Sequence, residues 1–312
     1  MAVLRPPVGL VLAREARELP APGSGWVYEP KFDGWRAALF AADGIVQSRR
    51  NNDLARRFPE IAAAARVVGD VVVDGELVAL RDGRLDFGSL AVMPRARVEA
   101  GVIVYFIGFD LLAQGGEDLR AAPHVVRRQR LVHVFSSAVP PLQLAPSTGD
   151  LALAAQWMRP EVADLGIEGV VAKRCRSPYQ AGRTGDWVKI RQKVMVDAVV
   201  VGVAGPVARP EALVLARPCT DGALHPIGLS LPLPPQLRDQ TAAWVRPTGE
   251  PRRRLPTTVL GHRGTEYQPV EPTLVVEAEA EATVVTFSSR LRPRIHRLRA
   301  DLVPSDLPPA PR

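Results

Sequence analysis

Apolar and polar residues alternate with a period of two in many short runs of this chain and with a helical period in a few longer ones. Over residues 26–50 the pattern predicts a strand, a turn at Asp33-Gly34, a second strand through Ala37–Phe40, a turn at Asp43-Gly44 and a third strand. Val71–Leu80, Val102–Leu112 and Gly169–Arg174 also read as strands, whereas Arg56–Val68, Ala122–Phe135 and Asp150–Leu165 read as helices. After about residue 195 the texture changes. Short β-rich runs follow at Asp197–Ala204, Ala212–Arg217, Leu274–Ala278 and Ala282–Ser288, with one helical stretch at Gln236–Val245. Seventeen of the 30 prolines fall at or after Pro206, which is poor ground for long helices. The pattern predicts two domains that meet near Gln192–Val196, the second a small barrel of OB-fold type. The Pro-rich end, 304–312, is expected to be a disordered tail.

The chain has 312 residues, enough to bury a core in each part. A hydrophobic content of 46% and a mean hydropathy of +0.01 describe a soluble globular protein. Cys175 and Cys219 cannot form a disulfide framework or a four-thiolate zinc site, and no metal-ligand spacing links His124, His133, His225, His262 and His296. All seven read as structural, and a reducing cytoplasm is the expected compartment. The apolar run within the first 20 residues is short and broken by Arg5, Pro6 and Pro7, so no secretory leader is expected, and no run approaches the ~20 apolar residues of a membrane helix. No membrane association is therefore expected.

Charge narrows the choice further. Forty Lys and Arg against 33 Asp and Glu give a net charge of +7, which favours a polyanionic partner. Only four of the basic residues are lysine: Lys31, Lys173, Lys189 and Lys193. Arginine stays charged at any relevant pH, whereas a desolvated lysine can lose its proton and attack an electrophile.

Three of those lysines lie in patterned segments. Glu29-Pro-Lys31-Phe-Asp33-Gly34-Trp-Arg36 sets an amine on a strand, with Glu29 two residues earlier and so on the same face. Gly34 lets the backbone turn closely, and Arg36 offers a guanidinium able to grip a phosphate with two bonds. This segment resembles motif I of the covalent nucleotidyltransferase superfamily, which contains ATP-dependent DNA ligases, RNA ligases and capping enzymes. The other motifs follow in order. Ser48-Arg49 with Phe58-Pro59-Glu60 resembles motif Ia, Asp74-Gly75-Glu76 motif III, and Phe106 to Leu112 around Phe109-Asp110 motif IIIa. Glu168-Gly-Val-Val-Ala-Lys173 is similar to motif IV, and Trp187-Val-Lys189-Ile-Arg191 to motif V. The wording is most similar to that of the small bacterial ATP-dependent DNA ligases of actinobacterial type.

The resemblance implies an α+β fold: an adenylation (nucleotidyltransferase) domain of antiparallel sheets with helices over 1–192, then a C-terminal OB-fold barrel over 197–303. It implies that Lys31 attacks the α-phosphate of ATP to give lysyl-AMP. Glu29, through its segment, meets the adenine and Phe109 stacks on it. Glu76 binds the ribose and is also a candidate for the metal. Arg36 and Arg49 hold phosphates, Glu168 is a Mg²⁺ (or Mn²⁺) ligand, and Lys173 and Lys189 neutralise phosphate charge. Asp33 either touches the metal or fixes the turn. Two segments depart from the family pattern. Arg191 stands where motif V usually has a second lysine, and the region from Arg290 to Asp301 resembles motif VI only through Asp301 and its arginines, among them Arg292 and Arg299.

The activity implied is sealing of nicks in duplex DNA, in DNA repair, by a monomer associated with the nucleoid. With no separate N-terminal DNA-binding module expected, recruitment would fall to partner repair proteins. The alternatives are an RNA ligase or capping-type enzyme, and a non-catalytic OB-fold scaffold that binds nucleic acid. An NAD-dependent ligase is disfavoured, because that family carries a four-cysteine zinc module.

Overall fold

The computed structural model describes residues 3–21, 23, 25–163, 165–219, 221–255, 264–281 and 292–309. It divides the chain into two units, Met1–Gln192 and Lys193–Arg312. The first contains strands β1 (Val11–Glu15), β2 (Trp26–Phe32), β3 (Trp35–Phe40), β4 (Ile45–Ser48), β5 (Val71–Arg81), β6 (Arg84–Leu85), β7 (Ile103–Gln114), β8 (Glu117–Asp118), β9 (Leu142–Leu144), β10 (Ile167–Arg174) and β11 (Gly182–Arg191). Its helices are α1 (Pro59–Ala65), α2 (Pro94–Glu99), α3 (His124–Phe135), α4 (Leu151–Gln156) and α5 (Pro160–Ala163). The fold class is α+β, with mixed sheets and few helices.

Two sheets form the first unit. One runs β1-β11-β10-β2, and the other runs β4-β3-β5-β7-β8 with β6 on β5 and β9 on β7. Only β1–β11 and β7–β9 pair in parallel among the described strands. The second sheet is apolar on both faces, as a sheet covered on both sides must be. Ala37, Leu39, Val73, Leu77 and Phe106 pack under α1 and α3, while Ala38, Phe40, Val72 and Leu112 share a cluster with Tyr179 and Trp187 of the neighbouring layer. Phe109 and Val171 lie at the half-buried margin of that interlayer cluster.

The second unit holds β12 (Lys193–Ala204), β13 (Ala212–Pro218), β14 (Leu224–Leu229), helix α6 (Pro235–Trp244), β15 (Arg253–Arg254), β16 (Glu266–Pro269), β17 (Val275–Glu281) and β18 (Arg294–Leu298). β12 is the centre of this sheet: β13, β16 and β17 all pair with it, and β18 extends it beyond β17. Its core is built from Val200, Val203, Leu213, Leu215, Ile227 and Val276, with Leu237 of α6.

Some expectations shift. The single helix expected over Asp150–Leu165 is two, α4 and α5, because Pro160 has no N–H to continue the first and biases the preceding residue away from helix. Of the Pro-rich tail, Pro304–Asp306 forms a 3₁₀ turn, and Leu307 is buried against Val199 and Val275. Apolar anchoring outweighs the composition there. The strand expected at Ala282–Ser288 and His262 lie outside the described residues. No described helix is long and apolar enough to cross a membrane.

Candidate active site

The register of the first sheet gathers the cationic residues. Lys31 pairs with Gly169, Glu29 with Val171, Lys173 with Trp187, Val171 with Lys189, and Gly169 with Arg191. Directly paired residues of neighbouring strands share a face, so Glu29, Lys31, Lys173, Lys189 and Arg191 all project from one side of three strands. Gly169 makes the approach possible. Its φ is +148°, and a Cβ there would stand 2.1 Å from the Ile190 carbonyl oxygen.

A β-bulge between Ile167 and Gly169 interrupts the ladder with β2 at Glu168. Such a bulge re-aims a side chain, and here the Glu168 carboxylate is ion-paired to the Lys31 ammonium. Glu168 is buried, and Arg191 Nε lies 3.9 Å from its Oε2. Burial alone would raise the Glu168 carboxyl. The charge of Lys31, hydrogen bonds from Asp33 and Lys31 and the charge of Arg191 outweigh it and hold the group below the usual carboxylate range. Asp33 is set by its backbone N–H, which donates to the Gly166 carbonyl at 3.1 Å. Gly34, next in the turn, is obligatory. A Cβ there would meet the Leu77 carbonyl at 2.2 Å and Glu76 Cγ at 2.7 Å. Glu76 is thereby placed beside the Asp33-Gly34 turn.

Lys173 and Glu29 form a second, deeper pair, with Nζ 2.7 Å from Oε2 and both side chains buried. The Lys173 ammonium also donates to the Phe109 carbonyl at 2.9 Å. It lies 4.5 Å from the Phe109 ring centre and 4.1 Å from that of Trp187, close enough for cation–π attraction. Burial raises Glu29 despite Lys173 and Arg128, and lowers Lys173 despite Glu29 and Asp110. Helix α3 closes this end of the site. Among the described residues, Glu29 Oε1, His124 Nε2 and Arg128 Nη1 are buried without a hydrogen-bond partner, the last two at 4.0 and 3.9 Å from Glu29 Oε1. Burial and the positive charge of Lys173 push His124 down to about 3, so its imidazole is neutral.

The remaining expected residues are placed as follows. Arg36 forms a fork on Asp74 through Nε and Nη2, the latter at 2.6 Å, and its guanidinium covers Phe109 at 4.5 Å. Tyr179 donates its hydroxyl to the same Asp74, which together with burial raises the phenol well above its usual value. Arg36 and Lys173 thus each lie 4.5 Å from the Phe109 ring centre, with Trp187 edge-on at 6.0 Å. Arg49 is exposed in the turn after β4. Asp110, next to Phe109, accepts two bonds from the fully buried Arg127 at 2.7 and 2.9 Å; these outweigh burial and hold its carboxyl low. In the second unit, Arg292 Nε donates to the Ser230 carbonyl at 3.0 Å, and Arg299 pairs with Asp197 at 3.0 Å and Asp301 at 2.8 Å. The structure therefore brings together Lys31, Asp33, Glu168 and Arg191 in one group and Glu29, Lys173 and Phe109 in another. Asp74, Asp110, His124, Arg127, Arg128 and Tyr179 had not been singled out. Asp74 and Asp110 belong to the recognised motifs, but His124, Arg127, Arg128 and Tyr179 carry no local signal.

The chain is similar to known proteins. Positions 13–191 match the family described as ATP dependent DNA ligase domain. DNA ligase C2 of Mycolicibacterium smegmatis is 33% identical over 237 residues, which cover 72% of this chain and 66% of that protein. The multifunctional non-homologous end joining protein LigD of Pseudomonas aeruginosa is 33% identical over 192 residues, 59% of this chain and 22% of its own. The crystal structure of the ligase domain of M. tuberculosis LigD aligns with 96% of this chain and 97% of its own, at 26% identity and a TM-score of 0.55. The chain thus spans just under two thirds of the length of DNA ligase C2.

Proposed function

From the premise that the chain belongs to the ATP-dependent DNA ligase domain family, we propose that it seals nicks in duplex DNA through an AMP group carried on Lys31. The single observation that carries this reading is the Lys31–Glu168 pair, with Asp33 and Arg191 gathered at the same carboxylate. Lys31 Nζ, having given its ammonium proton to solvent, attacks the α-phosphorus of ATP. A P–N bond forms, the P–O bond to the β-phosphate breaks, pyrophosphate leaves and the attacking amine releases a further proton. AMP then passes to the 5′-phosphate of a nick, and the 3′-hydroxyl displaces it. Each step is an in-line displacement at phosphorus, where positioning and charge neutralisation supply most of the acceleration.

The purine is read as lying at the margin of the interlayer cluster, its face on Phe109 and its edge toward Glu29. Glu76 serves the ribose. Arg36, Arg49, Lys173 and Lys189 supply the positive field over the phosphates, though Lys173 acts from beneath Phe109 and Arg36 from its fork on Asp74. Asp33 and Glu168 offer neighbouring hard oxygen donors, and this donor set suits Mg²⁺ or Mn²⁺. When bound, that cation offsets charge on the α-phosphate and the leaving pyrophosphate.

The second unit is read as an OB-fold, supported by its β12-centred sheet and by helix α6. Its arginines, Arg292 and Arg299 among them, would orient the pyrophosphate and clasp the duplex through its backbone, so binding should weaken with salt. A cytoplasmic, nucleoid-associated monomer acting in repair completes the proposal.

The test is incubation with α-labelled ATP and Mg²⁺ followed by denaturation, and then a nick-sealing assay. Covalent label that is absent from Lys31→Ala, together with sealed DNA, is the expected result. Label from GTP, or sealing of nicked RNA alone, would overturn the proposal in favour of a capping enzyme or an RNA ligase. No label at all would leave a nucleic-acid-binding scaffold.

A further inference from the structure

The hairpin between β13 and β14 carries a cluster that the ligase reading does not use. Cys219, Asp221 and His225 bring one thiol sulfur, one carboxylate oxygen and one imidazole nitrogen within 4.8 Å of one another. Their spacing, C-x-D-x₃-H, matches none of the common zinc signatures. It becomes a cluster only because the chain reverses there, with Pro218 paired to Leu224 and Arg217 to His225.

The turn is built to hold these donors. The Cys219 N–H donates to the Ala223 carbonyl at 2.8 Å, and the Gly222 N–H to the Cys219 carbonyl at 2.9 Å. Gly222 takes a φ of +79°, which an L side chain would resist. Asp221 uses Oδ1 to accept the Ala223 N–H at 2.9 Å, which leaves Oδ2 directed at His225 Nε2, 3.9 Å away. An oriented carboxylate of this kind is what second-sphere bonds provide in metal sites. Tetrahedral zinc, with bonds of ~2.0–2.3 Å, needs donor–donor separations of about 3.3–3.8 Å, so small side-chain rotations would close the set. All three donors come from seven residues of one hairpin, which keeps the ordering cost low.

We propose that this hairpin is a divalent-cation site of zinc type, with Cys219 as thiolate, His225 as neutral imidazole, Asp221 as carboxylate and water as the fourth ligand. Binding replaces the thiol proton with the metal–sulfur bond and releases that proton to solvent. The ion staples the β13–β14 turn, which belongs to the second unit and contains none of the residues assigned to nucleotidyl transfer.

Cobalt is the probe. The metal-free full chain is titrated with Co²⁺ and followed by absorption, then challenged with Zn²⁺. The expected result is a thiolate-to-cobalt charge-transfer band that saturates at one equivalent and is bleached by Zn²⁺. Cys219→Ser abolishes the band and Cys175→Ser keeps it, while His225→Ala and Asp221→Asn each weaken binding by at least about tenfold, the lower end of what a lost supporting partner costs. Zn²⁺ raises the unfolding temperature of the parent chain and of Cys175→Ser but not of Cys219→Ser. A missing band in the parent chain, or a band that survives in Cys219→Ser, overturns the proposal. Label transfer to Lys31 from ATP is measured in the same samples, so a failed metal site and a failed ligase reading are told apart.

Discussion

Glu168 stands on the bulge of β10 with its carboxylate ion-paired to the ammonium of Lys31 on β2, while the next residue, Gly169, is the one that pairs with Lys31 in the ladder. A regular ladder would carry Glu168 and Gly169 on opposite faces, so the bulge is what lets an acid and the reactive amine meet. Glu168→Gln keeps the shape and removes the charge. It is expected to slow formation of the covalent AMP adduct by about 100-fold, or ~2.7 kcal/mol of barrier. A rate within twofold of the parent, measured from label incorporated over time, would remove Glu168 from the mechanism.

Gly169 tests the same geometry through the backbone. Alanine there places a Cβ 2.1 Å from the Ile190 oxygen at a φ of +148°, so strand β11 must shift or β10 must change conformation. Overpacking alone costs typically 1–3 kcal/mol, and the backbone strain adds about as much again. Gly169→Ala is therefore expected to lower the denaturant midpoint clearly and to abolish the AMP adduct in whatever folded fraction remains. A variant as stable and as active as the parent would show that the approach of the strands is not required.

What could be read along the chain follows from how local each signal is. Glu29 and Lys31 share a face because a strand alternates with period two, and their pairing with Val171 and Gly169 on β10 follows that rule. Gly34 and the Asp33 turn were visible as a dipeptide. The bulge at Glu168 was not, since it exists only when β10 meets β2. The fork of Arg36 on Asp74 spans 38 residues of sequence, and the Tyr179–Asp74 bond spans 105. No window of periodicity holds both partners. His124 looked like an ordinary helix residue, and only the packing of α3 on β7 aims it at Glu29. Cys219 and His225 looked unrelated until the hairpin closed. In each case the missing information was a long-range pairing or a chain reversal.

Asp110 and Arg127 are both fully buried, and Arg127 also donates to the carbonyls of Ala122 and Ser177. Removing one partner leaves a charge unpaired in a poorly solvated site, which typically costs about 3–5 kcal/mol. Arg127→Met is expected to fall in that range, because it strands Asp110 and two carbonyls together. Asp110→Asn should cost less, since the amide still accepts one bond. The double variant should be more stable than the sum of the two losses predicts. Denaturant unfolding of the four proteins closes the cycle, and strict additivity would show that the two groups do not interact.

His124 supplies a pH signature. It is 1% exposed. Burial, Lys173, Arg127 and Arg128 disfavour its proton; Asp110 opposes them, and Glu29 Oε1 lies 4.0 Å away, and the balance lowers it from 6.5 to about 3. Between those two values the unfolded chain binds a proton that the folded chain refuses. Folding stability contributed at this position is therefore complete above pH 6.5 and is lost as the pH falls toward 3, at up to ~1.4 kcal/mol per unit. His124→Gln removes the titration while keeping a polar group of similar reach. The expected result is that the parent's urea midpoint falls more steeply from pH 6.5 to 4.5 than the variant's, with the two curves parallel above pH 7. Parallel curves across the whole range would mean that the histidine takes up its proton without penalty, and that the end of the site lined by Glu29 and Arg128 is wetter than its buried, unpartnered atoms indicate.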